Sequence, residues 1–104
     1  MHIVVLVTAK DKEEAGAIAD GLIAERLAAC VNIIDNVQSR FRWEGKADQS
    51  REALLIIKTE ERLFEPLAAK VKELHSYDVP EIIALPIVKG SADYLQWITD
   101  SVKK

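Results

Sequence analysis

Cys30, His75, Lys58, Tyr77 and Glu81 are the residues of this 104-residue chain whose types suit chemistry. Cys30 is the only thiol: at the start of an apolar strand it is either a small hydrophobe or a soft-metal ligand or reactive thiol. His75 carries an imidazole suited to copper or zinc. At a helix end it would instead serve as an imidazolium facing the negative dipole end. No second His or Cys lies at ligand spacing from it, so a metal site must recruit carboxylates, Cys30 or another chain. His2, beside the amino terminus, is a candidate for adventitious copper binding. Lys58, Tyr77 and Glu81 could meet near one end of a sheet, as salt-bridging and interface packing or as the lining of a cleft for an anion or metal. CxxC is absent, which argues against a thiol-pair metal chaperone; a Ser/His/Asp arrangement and a spaced carboxylate pair are absent too, so no enzymatic chemistry is expected. Trp43, Tyr94 and Trp97 read as interface or core aromatics rather than a base-stacking platform.

The stretch that must position these groups runs from Cys30 to Thr59 and reads as one long β-hairpin. From Val37 the pattern alternates: Val37, Ser39, Phe41 and Trp43 point one way, Gln38, Arg40 and Arg42 the other. Trp43 to Asp48 is a polar tip with one glycine. Ala53 to Ile57 is an unbroken apolar run, suited to a central strand. Thirteen residues per arm span roughly 40 Å at ~3.3 Å each, against about 24 Å for a sixteen-residue helix. The hairpin should overshoot any helix packed on it. Phe41 and Trp43 then lie on an overhang whose apolar face needs another chain to cover it.

Around the hairpin, Ile3–Val7 reads as a buried strand. Asp11 caps a helix with Glu14 at capping-box spacing, and Ala15, Ile18, Ala19, Leu22 and Ile23 form its apolar face. Gly16 and Gly21 in that helix suggest close packing of backbone on the sheet. Phe64, Leu67, Ala68, Val71 and Leu74 mark a second helix, with Pro66 in its first turn and its end near His75. Glu81–Val88 is a strand that Pro86 demotes to a sheet edge. Ser91 caps a last helix carrying Leu95, Ile98 and Val102. The order β-α-β-β-α-β plus a helix predicts a single α+β, ferredoxin-like domain with a four-stranded antiparallel sheet. Its second sheet face would be bare in a monomer, which again argues for self-association.

Apolar residues make up 49% and charged residues 30% of the chain, as in a globular protein. A net charge of −3 argues against a nucleic-acid partner. No apolar run approaches the ~18 residues of a membrane span, and the N-terminus reads as a strand rather than a signal peptide. With one cysteine, a reducing cytoplasmic location is expected.

Leu27-Ala28-Ala29-Cys30-Val31-Asn32-Ile33, Arg42-Trp43-Glu44-Gly45, Lys58-Thr59, His75-x-Tyr77-x-x-Pro80-Glu81-Ile82 and Tyr94-Leu95-x-Trp97-Ile98, taken together, resemble the CutA family of divalent-cation tolerance proteins over nearly the whole chain. The resemblance implies a homotrimer similar in plan to PII signalling proteins, with hairpins buried against neighbouring subunits. It also implies a link to copper or another divalent cation at an intersubunit cleft. There His75 and then Cys30 would be the metal ligands, with Lys58, Tyr77 and Glu81 lining the cleft and Phe41 and Trp43 in the interface. Two departures stand out. Ser76 replaces the proline usual after the histidine. Metal-binding members can carry a Cys at the end of the first strand and a His-His pair before the tyrosine. Here those positions hold Val7 and Leu74-His75, so one of three ligands remains and copper binding is expected to be weak. The rival expectation is a PII-like trimeric sensor of a small anion, though the chain lacks a long signalling loop. An acylphosphatase-like enzyme would need an arginine-bearing loop where Thr8-Ala9-Lys10-Asp11 stands.

Overall fold

The structure, a computed structural model, describes residues Met1–Lys104. Strands β1 (His2–Ala9), β2 (Cys30–Trp43), β3 (Lys46–Glu60) and β4 (Ile82–Pro86) form one antiparallel sheet in the order β2-β3-β1-β4. Helices α1 (Lys12–Ala24) and α2 (Phe64–Leu74) cover one face, and α3 (Ala92–Ser101) follows β4. This is the ferredoxin-like arrangement expected from the element order.

The core follows from strand periodicity. Ile3, Val5, Val7 and Ala9 of β1 alternate inward, and Ala53, Leu55, Ile57 and Thr59 of β3 lie beside them. Ile18 and Leu22 of α1 and Leu67 and Val71 of α2 close the layer, each fully buried. The Thr59 hydroxyl, also buried, donates to the Leu27 carbonyl at 2.7 Å. Truncating Leu22 or Ile57 would cost about 2–5 kcal/mol by cavity formation.

Asp11 caps α1 as expected, its carboxylate accepting from the Glu14 amide at 2.9 Å. Asp11→Ala should therefore cost about 1 kcal/mol, read as a shift in denaturant midpoint. Past the end of the helix Glu25 is its C-cap, and Arg26, with a φ of 56°, reverses the chain. The Arg26 guanidinium then donates to the carbonyls of Asp100 and Ser101 and anchors the end of α3. Gly21 marks a close approach between helices rather than between helix and sheet: a Cβ there would meet Leu74 Cδ1 at 2.8 Å. Gly16 faces open space.

Two features of the hairpin differ from expectation. Its tip is a two-residue turn, because Trp43 pairs with Lys46 and Glu44 and Gly45 both take positive φ, 51° and 79°. That is the type I′ signature, whose twist matches the flanking strands. A bulge also falls between Ile34 and Val37, where Asn36 takes φ 63°. Opposite it, β3 runs uninterrupted. Cys30, Asn32 and Ile34, then Val37, Ser39, Phe41 and Trp43, therefore all pair with even-numbered β3 residues and share one face.

Only Ala53–Glu60 of β3 pairs with β1, so the hairpin beyond Val37 and Glu52 projects free of the sheet. The molecule is accordingly elongated, 44 × 26 × 22 Å. On the face opposite α1 and α2, Ile34, Ile83 and Leu85 are exposed, with Phe41 (42%) and Trp43 (54%) continuing them onto the overhang. Pro86 lies on edge strand β4, as its missing N–H requires.

Candidate functional site

The residues singled out in the sequence divide into two clusters at opposite ends of the sheet. The first forms where α2 ends. His75 is the C-cap residue of α2, and its side chain is 0% exposed. Its Nε2–H donates to the Thr8 carbonyl at 2.7 Å, and its Nδ1 accepts from the Tyr77 amide at 3.1 Å. This bonding assigns the neutral Nε2–H tautomer, not the imidazolium of a simple dipole cap. The Tyr77 ring leans on the imidazole at 4.7 Å, and its hydroxyl donates to Glu52 at 2.9 Å.

Glu14 ties this loop to α1. One oxygen accepts from the Lys10 amide at 3.0 Å, the other from the Ser76 amide at 2.9 Å, and His75 Nδ1 lies 3.7 Å away. Burial pushes the Glu14 carboxyl up, but the Lys10 and Ser76 hydrogen bonds outweigh it and hold the group below its ordinary value. Tyr77 moves the other way. Burial first, then the hydrogen bond to Glu52 and the charges of Glu52, Glu14 and Asp11, push its hydroxyl up to about 12.

The second cluster lies where β2 begins. Lys58 Nζ sits 3.8 Å from Cys30 Sγ and also donates to Asn32 Oδ1. Cys30 is partly exposed. Burial, with the Cys30 thiol alongside, pushes the Tyr94 hydroxyl above its usual value. Nearby, Thr99 of α3 bonds both His2 (2.8 Å) and Glu60 (2.9 Å), so α3 caps this end of the sheet. The Glu60 carboxyl is raised by burial, yet its bonds from Thr99 and Arg62 leave it lowered overall.

These placements correct two expectations. Lys58 does not meet Tyr77 and Glu81 within one chain: Ile82 pairs with Val7, so exposed Glu81 belongs to the Thr8 end, whereas Lys58 pairs with Val4. Nor does His75 meet Cys30. One holds Thr8 and the other lies level with Val4, four residues or about 13 Å away along β1. Both ring nitrogens of His75 are also engaged. No three His, Cys, Asp or Glu side chains of one chain converge in an arrangement that could hold a metal ion. Sequence reasoning missed Glu14 as more than a cap, and it missed Glu52. The lone carboxylate abutting the apolar run Ala53–Ile57 was the available signal for the latter.

The carboxyl and phenol shifts predict two limbs in the dependence of stability on pH. Glu14 and Glu60 are lowered in the fold, so their contribution is present above about pH 4.5 and lost as pH falls through their folded values. Tyr77 is raised, so its contribution is present below about pH 10 and lost as pH climbs toward about 12. Melting temperature should therefore fall as pH drops below about 4.5 and as it climbs above about 10. Glu14→Gln should flatten the acid limb and Tyr77→Phe the alkaline one; unchanged limbs would contradict the assignment.

The sheet, its two covering helices and the exposed apolar face define a ferredoxin-like α+β domain with a projecting hairpin. The chain belongs to the CutA1 divalent ion tolerance protein family, whose model matches residues 3–101. The divalent-cation tolerance protein CutA of Thermus thermophilus is 46% identical over 101 residues, covering 97% of this chain and 98% of that one. The structure of that species' divalent cation tolerance protein superposes with a TM-score of 0.97, covering 99% of this chain and 100% of the other. A CutA from Archaeoglobus fulgidus, described as periplasmic, superposes at TM-score 0.96 with 42% identity and coverage of 99% and 100%. The chloroplastic CutA of Arabidopsis thaliana is 48% identical over 97% of this chain, which spans 56% of that longer protein. No helix is long and apolar enough to cross a membrane.

Proposed function

We propose that the protein acts in tolerance of divalent cations as a non-enzymatic homotrimer, holding copper weakly at a cleft between subunits. The observation that carries the assembly is the uncovered apolar surface running from Ile83 and Leu85 across Ile34 to Phe41 and Trp43. A surface of this kind finds cover in another copy. Three copies is the number that the family resemblance implies. Weak cation binding fits the separated clusters, because ligands at opposite ends of one sheet meet only when different subunits supply them. His75 would have to release the Thr8 carbonyl or the Tyr77 amide to ligate, whereas Cys30 is accessible beside Lys58. This reading places the protein in the cytoplasm, where a free thiol stays reduced.

Size-exclusion chromatography with light scattering at micromolar concentration should give the mass of three chains; a monomer would overturn the assembly. Calorimetric titration with Cu²⁺ without oxygen, with Zn²⁺ and Mg²⁺ as comparison ions, tests the cation. Weak saturable binding lost in Cys30→Ser and kept in His2→Ala is expected. Binding lost only in His2→Ala would refute the cleft site.

A further inference from the structure

We propose that the arginine face of the β2–β3 hairpin is a binding site for a compact, multiply charged oxyanion, with Arg40 and Arg51 as its two clamps. Gln38 pairs with Arg51 and Arg40 with Gln49 in alternate rungs of the ladder, with the Ser39–Ser50 rung between them, so these four side chains form a square on one face. Arg40 and Arg51 occupy its diagonal, about 7–8 Å apart at Cα. Together with Ser39 and Ser50 of the intervening rung, whose side chains alternate to the other face, these residues line a shallow cavity of about 270 Å³ that contains no carboxylate.

Three observations point to an anion. The ion pairs of the chain engage His2, Arg62, Lys70 and His75, leaving Arg40 and Arg51 without an acidic partner. Residues 38–51 carry four basic and two acidic side chains in a chain of net charge −3. Such local positive charge collects anions against the overall field. Finally, the square offers two guanidinium forks and two carboxamide N–H₂ groups, a donor set that matches planar or tetrahedral oxyanions bidentately.

The geometry also limits the ligand's size. Phe41 and Trp43 point to the other face of the hairpin, so no aromatic ring is available to stack a base. Arg51 borders a second cleft containing Asp11, Asp35 and Glu52, whose carboxylates repel an anion on that side. What fits is a compact group bridging two arginines: pyrophosphate-like or polycarboxylate. The site lies opposite the aromatic face assigned to assembly and does not depend on the metal reading.

Inorganic pyrophosphate and citrate, each titrated calorimetrically at constant ionic strength into the full chain, provide the test. Saturable binding of at least one is expected, weakened tenfold or more in Arg40→Gln and in Arg51→Gln but not in Lys12→Gln, which removes the same charge from α1. Binding of one probe and not the other assigns the phosphoryl or the polycarboxylate class. No saturable binding of either, or equal weakening in Lys12→Gln, overturns the site. Light scattering on the same samples separates the remaining case: loss of binding together with loss of assembly would show that the arginines serve a subunit contact and would also overturn it.

Discussion

His75→Ala should lower unfolding free energy by roughly 3 kcal/mol or more, the largest effect expected of a single polar residue here. The imidazole is wholly enclosed, donates to the Thr8 carbonyl and accepts from the Tyr77 amide. Alanine leaves a cavity and both of these backbone groups without a partner. It also frees the Tyr77 ring, whose hydroxyl is the partner of buried Glu52. Tyr77→Phe should cost less, about 1–3 kcal/mol, because it orphans only that carboxylate. Denaturant midpoints at fixed protein concentration measure both. An alanine variant as stable as the parent would mean that the ring is not enclosed, and metal ligation by His75 would regain its attraction.

Phe41→Glu and Trp43→Glu are each expected to abolish the trimer at micromolar concentration, leaving monomer or aggregate. Each puts a carboxylate where the proposed assembly buries an aromatic ring, a change worth several kcal/mol per chain. Arg42→Glu, on the opposite face of the same strand, should leave the mass unchanged. If Phe41→Glu and Trp43→Glu both elute and melt like the parent, the hairpin face is not the interface. The contrast between neighbouring positions distinguishes facial burial from general damage to the hairpin.

Most of the fold was legible because it rests on local periodicity. Ile3–Val7 and Ala53–Ile57 are apolar runs that only a covered strand can bury, and Asp11 and Ser91 announce their helices by side-chain chemistry. The β-bulge was not legible. Ile34, Asp35, Asn36 and Val37 carry no signal that one register step is skipped, and the alternation from Val37 onward gives the pattern without its relation to Cys30. Lys46 and Asp48 extend the polar, turn-like stretch to six residues, yet positive φ at Glu44 and Gly45 closes the turn in two.

The candidate site was less legible than the fold for a physical reason. Residue types show which groups could ligate or bond, but sheet register decides which of them meet. Lys58 and Tyr77 are both plausible cleft residues until the pairings Val4–Lys58 and Val7–Ile82 send them to opposite ends. His75 looked available because it ends a helix. Its enclosure depends on Thr8 and Glu14, both more than sixty residues earlier in the chain.

The central place of β1 has a consequence for synthesis. Ile3 pairs with Thr59 on one side and Pro86 on the other, so the first strand of this domain in chain order is among the last to be completed. Until β3 emerges, both hydrogen-bonding edges of a strand rich in valine and isoleucine stay open, and one remains so until β4 arrives. Folding of this chain is thus ruled by non-local closure and should be slow for its size. The nascent β1 segment is the part of the domain most in need of a chaperone.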